Sequence, residues 1–281
     1  MQEQYLYIFR SSELYLDDTT TLPFRFPDMP GISRLDSLDL TLASRPARVI
    51  LLEPALSPAA VVSASVCGQG PDYPRTGESG DRAQNSGRWM RLRDFFAAVD
   101  PALSALASPA ARALGLINWH HATRVCSRCG GPLADHPAEI ARVCGACRVT
   151  SYPRISPAII VLVHREGKIL LARHAARNQD IYACLAGFVE HGETLEECVS
   201  REVFEETGLK LKNIRYAGSQ SWPYPDQFMV AFNADWASGE IRTDPAEILE
   251  ARWFDPSDLP AMPMPGTVAW RLIHGALNPE V

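Results

Sequence analysis

Apolar residues recur along this chain with two different periods. Short runs with strand character stand near the N-terminus, at Tyr5 to Phe9, Leu38 to Leu42 and Arg48 to Glu53. Residues 67–88 are rich in Gly, Pro and Ser with almost no periodic apolar position, which predicts a long loop. Trp89 to Val99 and Pro101 to Trp119 are Ala- and Leu-rich at helical spacing and predict two helices. From Ala158 the pattern changes. AIIVLVH (158–164), a Glu166-Gly167 turn and KILLAR (168–173) predict a hairpin. There follow a strand-like AGFVE (186–190), a helix over Thr194 to Thr207, and strands over Leu211 to Ser219 and Gln227 to Ala234. ARWFDPSDLP (251–260) closes a strand into a turn, and Thr267 to Leu277 predicts a terminal helix. This order mixes strands and helices without the regular alternation of a doubly wound sheet, so the fold class is α+β. The first 120 residues read as an N-terminal α/β domain.

Composition narrows the class. A chain of 281 residues makes one large domain or two smaller ones, and 46% hydrophobic with 21% charged residues is ordinary for a globular protein. No run of 18 apolar residues exists, so no membrane helix is expected. The start MQEQYLYIFR lacks the basic, apolar and small-residue sequence of a secretory signal, which makes a cytoplasmic location the expectation. A net charge of −6 suits poorly a protein that coats nucleic acid. Of seven cysteines, four form two CxxC pairs, while Cys67, Cys184 and Cys198 are isolated. That usage fits a metal site better than a disulfide scaffold.

The pairs are Cys126/Cys129 and Cys144/Cys147, with fourteen residues between them. Each CxxC turns the chain so that two thiolates converge, and two such knuckles make the closed four-sulfur shell of one structural zinc. Gly130, Gly131 and Gly145 stand where tight turns call for positive φ. Arg124, Arg128, Arg142 and Arg148 flank the cysteines, so a ribbon that reads nucleic acid is the alternative to one that joins domains.

The helix over Thr194 to Thr207 carries the second chemistry. On a wheel of about 100° per residue, Leu195, Cys198 and Val199 define the face toward the sheet. Glu202 and Glu206 share that face, and Glu205 lies at its edge. Three carboxylates on a buried stripe are costly as bare charges. A hard divalent cation, magnesium or manganese, removes that cost. A merely solvated acidic face would turn Glu202 and Glu206 away from Leu195 and Val199.

Gly187, five residues, Glu193, seven residues, then Arg201-Glu202-Val203-Phe204-Glu205-Glu206-Thr207-Gly208-Leu209 resembles the Nudix box with every defining position filled. The resemblance implies a loop-helix-loop on an α/β/α sandwich, and hydrolysis of a diphosphate by water activated at two or three metal ions. It implies that Glu202, Glu205 and Glu206 are metal ligands and that Glu193 with Arg201 clamps the loop to the helix. The group that takes the proton from water varies among Nudix enzymes and stays open.

Ser219 to Gln227, SQSWPYPDQ, resembles the SQPWPFPxS signature of the NADH pyrophosphatase subgroup, departing at Ser221, Tyr224 and Gln227. A Pro-bounded aromatic loop is a ready wall for a flat ring. The resemblance implies substrate contacts from Gln220, Ser221, Trp222, Pro223, Tyr224, Pro225, Asp226 and Gln227, and from Glu139, Tyr152, Phe188, Ala269 and Arg93. As plain sequence Tyr152 and Phe188 could be core aromatics. The resemblance adds Glu247 and the Ala186 carbonyl to the metal site. It implies three parts: an N-terminal domain (1–120), a zinc ribbon (121–152) and a Nudix domain (153–281). It implies a homodimer that splits NAD(H) into nicotinamide mononucleotide and AMP, with removal of NAD caps from RNA as a second activity. The alternatives are hydrolysis of ADP-ribose or another dinucleotide, and a non-catalytic nucleotide sensor.

Overall fold

The computed structural model describes residues 4–10, 13–17, 24–26, 37–42, 45–51, 87–98, 101–176 and 180–277. Two compact units divide the chain, Met1–Arg154 and Ile155–Val281.

In the first unit, alternating short runs pair into one sheet. Its strands are β1 (Gln4–Arg10), β2 (Glu13–Asp17), β3 (Phe24–Phe26), β4 (Ser37–Leu42), β5 (Arg45–Leu51) and β6 (Gly87–Arg91). Among the described residues the order is β4-β5-β1-β2-β6, with β3 also on β1. β2 and β3 were not expected from the sequence. β2 changes the fate of the segment that follows: its open edge takes Arg88, Trp89 and Met90 in register with Leu16, Tyr15 and Leu14. Residues expected to begin a helix are therefore strand, and only α1 (Leu92–Phe96) is helical before α2 (Pro101–Ala122). Sheet pairing has overridden a weak helical propensity. The expected loop lies outside the described residues except for Gly87 and Arg88, which open β6. α2 runs three residues past Trp119 and packs on β1, β4 and β5 through a buried stripe that includes Leu106, Ala110, Leu114 and Ile117.

The ribbon follows as β7 (Leu133–Asp135), β8 (Arg142–Cys144) and β9 (Thr150–Ser151). Buried His120 near the end of α2 bonds Asp135 at 2.9 Å. Arg142 gives its guanidinium to the carbonyls of His120, Thr123 and Leu133. Ribbon and helix are thus latched within this unit.

The second unit contains β10 (Ser156–Arg165), β11 (Lys168–His174), β12 (Leu185–Phe188), α3 (Leu195–Thr207), β13 (Lys210–Trp222), β14 (Gln227–Ser238), β15 (Ile248–Phe254) and α4 (Val268–Ile273). Its sheet runs β13-β14-β10-β11-β15, with β12 on β10. β10 is central: parallel to β14, antiparallel to β11 and β12. The β10–β11 turn places Glu166 at φ 50° and Gly167 at φ 78°, the left-handed pair a tight hairpin needs. Side chains alternate across β10. Ile159, Val161 and Val163 meet Cys198, Val199 and Val203 of α3 on one face. Ile160 and Leu162 meet Val268, Ala269 and Leu272 of α4 on the other. Helix, sheet and helix make the expected α/β/α sandwich.

Among the boundaries that differ from expectation, two bear on the site. β13 continues through Trp222, so Gln220 to Trp222 are strand rather than loop. α4 stops at Ile273, because Gly275 takes a left-handed φ of 66° that ends the helix.

Candidate active site

The acidic helix begins on a reciprocal cap. The Glu197 N–H donates to Thr194 Oγ1, and the Thr194 N–H donates to Glu197 Oε2 at 2.7 Å. The T-x-x-E spacing was the sequence signal for this cap. Gly208, at φ 71°, closes the helix, and its N–H donates to the Phe204 carbonyl.

Burial then grades the three carboxylates. Glu206 is 7% exposed, while the side chain of Glu202 is 15% and that of Glu205 55% exposed. The wheel likewise puts Glu202 and Glu206 on the buried face and Glu205 at its edge. Glu202 lies over the backbone of β12, and a Cβ added at Gly187 would overlap its carboxylate. Glycine here leaves a cradle for an acid. Burial pushes the Glu202 carboxyl above its ordinary range, so its charge lacks a full complement in the protein alone.

Arg201 organises the surroundings. Its Nε and Nη2 hold both oxygens of Glu193, at 3.0 and 2.7 Å. Nη2 also donates to the Phe188 carbonyl, while Nη1 bridges Glu202 at 2.9 Å and Glu205 at 3.0 Å. The Arg201 guanidinium and the Glu190 N–H hold Glu193 down at about 2. One guanidinium therefore joins the loop, the helix and two of the three acids. Cys198, buried beneath, donates its thiol to the same Phe188 carbonyl.

The other proposed ligands come from different elements. Ala186 is half-buried on β12 opposite Ile160. Glu247 is exposed on the turn before β15, and its carbonyl accepts from the Ala175 N–H. The cradle over Gly187 admits the Glu202 carboxylate, a hard oxygen donor of the kind a divalent cation takes.

The segment 220–227 is the end of one strand, a turn and the start of the next. Trp222 and Tyr224 pack on each other with ring centres 5.0 Å apart. Trp222 is in register with Gln227 and Ser221 with Phe228. Pro223 is buried, whereas Ser221 and Pro225 are exposed. Ser156 donates to the Asp226 carboxylate at 3.0 Å and, from its N–H, to the Asp226 carbonyl. Gln220 bonds the turn before α4, the element that carries buried Ala269.

Phe188 and Tyr152 are 52% and 59% exposed, so neither is the core aromatic that plain sequence allowed. The Tyr152 hydroxyl donates to Glu139 at 2.9 Å, which raises the tyrosine pKa. Arg93 is exposed on α1.

In the ribbon the four sulfurs lie within 4.8 Å of one another. Cys126–Cys147, Cys129–Cys144 and Cys129–Cys147 are 3.6, 3.5 and 3.5 Å apart. Zinc–sulfur bonds of about 2.3 Å in a tetrahedron would put sulfurs about 3.8 Å apart, so the shell fits the ion. The N–H of Cys147 holds the Cys144 thiol down at about 6. The Gly131 N–H favours the Cys129 thiolate, but the neighbouring sulfurs outweigh it and push that thiol up to about 12. Four thiolates need a cation. The turns correct two expectations. Gly130 has φ 72°, but neither Gly131 nor Gly145 takes a positive φ, and the place after Cys147 that matches Gly130 is taken by Arg148 at φ 61°. Arg142, 13% exposed and spent on backbone carbonyls, is not available to nucleic acid.

The NUDIX domain family matches residues 153–272, and the NADH pyrophosphatase zinc ribbon domain family matches residues 121–152. A Chromobacterium violaceum protein named NAD-capped RNA hydrolase NudC is 47% identical over 199 residues, 71% of this chain and 74% of that one. A Salmonella heidelberg protein of the same name is 50% identical over 165 residues, 59% of this chain and 64% of its own length. The match thus spans just under two thirds of the Salmonella relative. A solved NUDIX hydrolase from Nitrosomonas europaea is 25% identical, with a TM-score of 0.47 over 54% of this chain and 91% of its own.

Proposed function

The chain belongs to the Nudix family, in the group that carries the NADH pyrophosphatase zinc ribbon, and from that premise we propose that it hydrolyses the pyrophosphate of NAD(H) to nicotinamide mononucleotide and AMP and removes NAD caps from RNA 5′ ends. The relatives named NAD-capped RNA hydrolase support that substrate. The cradle over Gly187 is the observation that carries the chemistry: a glycine-floored recess that admits the Glu202 carboxylate beside buried Glu206.

In this reading Glu202, Glu205, Glu206, Glu247 and the Ala186 carbonyl hold magnesium or manganese, two or three ions per site. Bound ions supply an activated water and neutralise the bridging phosphates. The protein's own part is positional. Arg201 keeps Glu202 and Glu205 converged while Glu193 fixes the guanidinium from the other side. Trp222, Tyr224, Phe188 and Tyr152 offer ring faces for the base and the nicotinamide. Glu139 orients Tyr152 by accepting its hydroxyl. By the same resemblance Arg93 is a further substrate contact.

Each chain holds one structural zinc and the protein acts as a homodimer, its parts being residues 1–120, 121–152 and 153–281. None of the six described cysteines is in a disulfide, which suits the reducing cytoplasm. The test is a set of steady-state rates on NADH, NAD, ADP-ribose and NAD-capped RNA, with magnesium and with manganese. The proposal expects AMP and nicotinamide mononucleotide from NADH, and a 5′-monophosphate RNA from the capped substrate. Faster turnover of ADP-ribose than of any NAD substrate would overturn it, and ligand binding without hydrolysis would make the chain a sensor.

A further inference from the structure

Gln220 stands in the segment expected to touch substrate, yet its carboxamide is turned toward the protein. Nε2 donates to the Gly266 carbonyl at 3.1 Å, and Oε1 accepts the Val268 N–H at 2.8 Å. Val268 is the first residue of α4, so Gln220 satisfies a helix N-terminal donor from a strand 48 residues earlier. The turn is held from its other side by Thr267. That hydroxyl donates to the Met264 carbonyl at 2.8 Å and accepts the Trp270 N–H. Gly266 itself sits at φ 79°. Ala269 follows directly, buried among Ile160, Leu162 and Leu272. Two side chains thus fix one turn, and through it the start of α4 against β13.

We propose that Gln220 is a positioning residue for dinucleotide binding: it braces the Gly266–Ala269 turn against β13 and does not itself read the substrate. The proposal rests on the dinucleotide reading above. It predicts an effect on binding and not on the chemical step, because Gln220 bonds neither Arg201 nor the acids of α3.

The experiment compares wild type, Q220A, T267A and the double variant on NADH, with manganese affinity measured by calorimetry. Losing two hydrogen bonds that order one turn raises KM by about tenfold. The expected kcat and manganese affinity change less than about twofold. Because Thr267 holds the same turn, the two substitutions are expected to be strongly non-additive. Faster amide exchange at Val268 in Q220A reports the released turn directly. Should Q220A not fold, Q220E serves instead, since it keeps an acceptor for Val268 and loses the donor to Gly266. Additive effects on KM would overturn the proposal in favour of direct contact, as would an unchanged KM. Wild type that does not cleave NADH would instead sink the functional reading, while the exchange measurement would still report the brace.

Discussion

Single residues decide whether the acids can work together. Glu206 is the most buried of the three, so E206Q keeps the shape of the site and removes a charge. The expected outcome is a fall in kcat of at least about a thousandfold, with unchanged melting and one zinc per chain by metal analysis. Near-normal NADH cleavage would remove α3 from the mechanism. Glu193 gives a pH-dependent prediction. Its carboxyl falls from an ordinary 4.5 to about 2 in the folded protein, chiefly through Arg201. A depressed carboxylate contributes stability that is full above its unfolded pKa and is lost as pH falls through its folded value. E193Q is therefore expected to melt below wild type at pH 7, with the gap narrowing as pH drops from 4.5 toward 2. A gap constant with pH would mean that the pair contributes nothing. Arg148 carries its left-handed φ at a cost that glycine would not meet. R148G is expected to stabilise the ribbon by about 1 kcal/mol.

At the scale of elements, the ribbon and the acidic helix have different jobs. The closed sulfur shell leaves no open coordination position, so its metal acts on folding rather than on chemistry. C126S is expected to lose zinc and to lower Tm by about 5 °C or more. The specific activity of the protein that stays folded should change little. A zinc-free variant with normal melting would contradict this. The latch from Asp135 and Arg142 to the end of α2 explains how loss of the ribbon reaches the rest of the first unit. Local pattern made α3 readable to within a residue, because its cap, period and glycine stop all agree. The segment from Trp89 was misread because β2, a strand the sequence did not announce, supplied an edge that competed with helix formation.

For the whole molecule, a net charge of −6 argues against a capture mechanism based on a basic surface. Arg142 is used internally, and Arg124 donates to the carbonyl and ring of His121. The capped end rather than the RNA body is therefore expected to carry recognition. R128A with R148A should leave the rate on NAD-capped RNA within about twofold of wild type, and the salt dependence of KM should be shallow. A steep salt slope lost in that variant would restore nucleic-acid reading by the ribbon.

The sequence by itself determined whatever depends on short covalent spacing. Three glutamates within five positions of one helix must share a face, and two CxxC pairs must each present two thiols to one point. These relations follow from helix and turn geometry and needed no distant partner. Only the tertiary structure decided what lies across long separations. It brought the backbone at Gly187 beneath Glu202, Ser156 to Asp226, and the turn at Gly266 to Gln220. It also spent Arg142 on the ribbon's own carbonyls and made a strand of Trp89. In each case the outcome depends on which hydrogen-bonding group or open sheet edge the rest of the fold delivers, and local pattern carries no record of that.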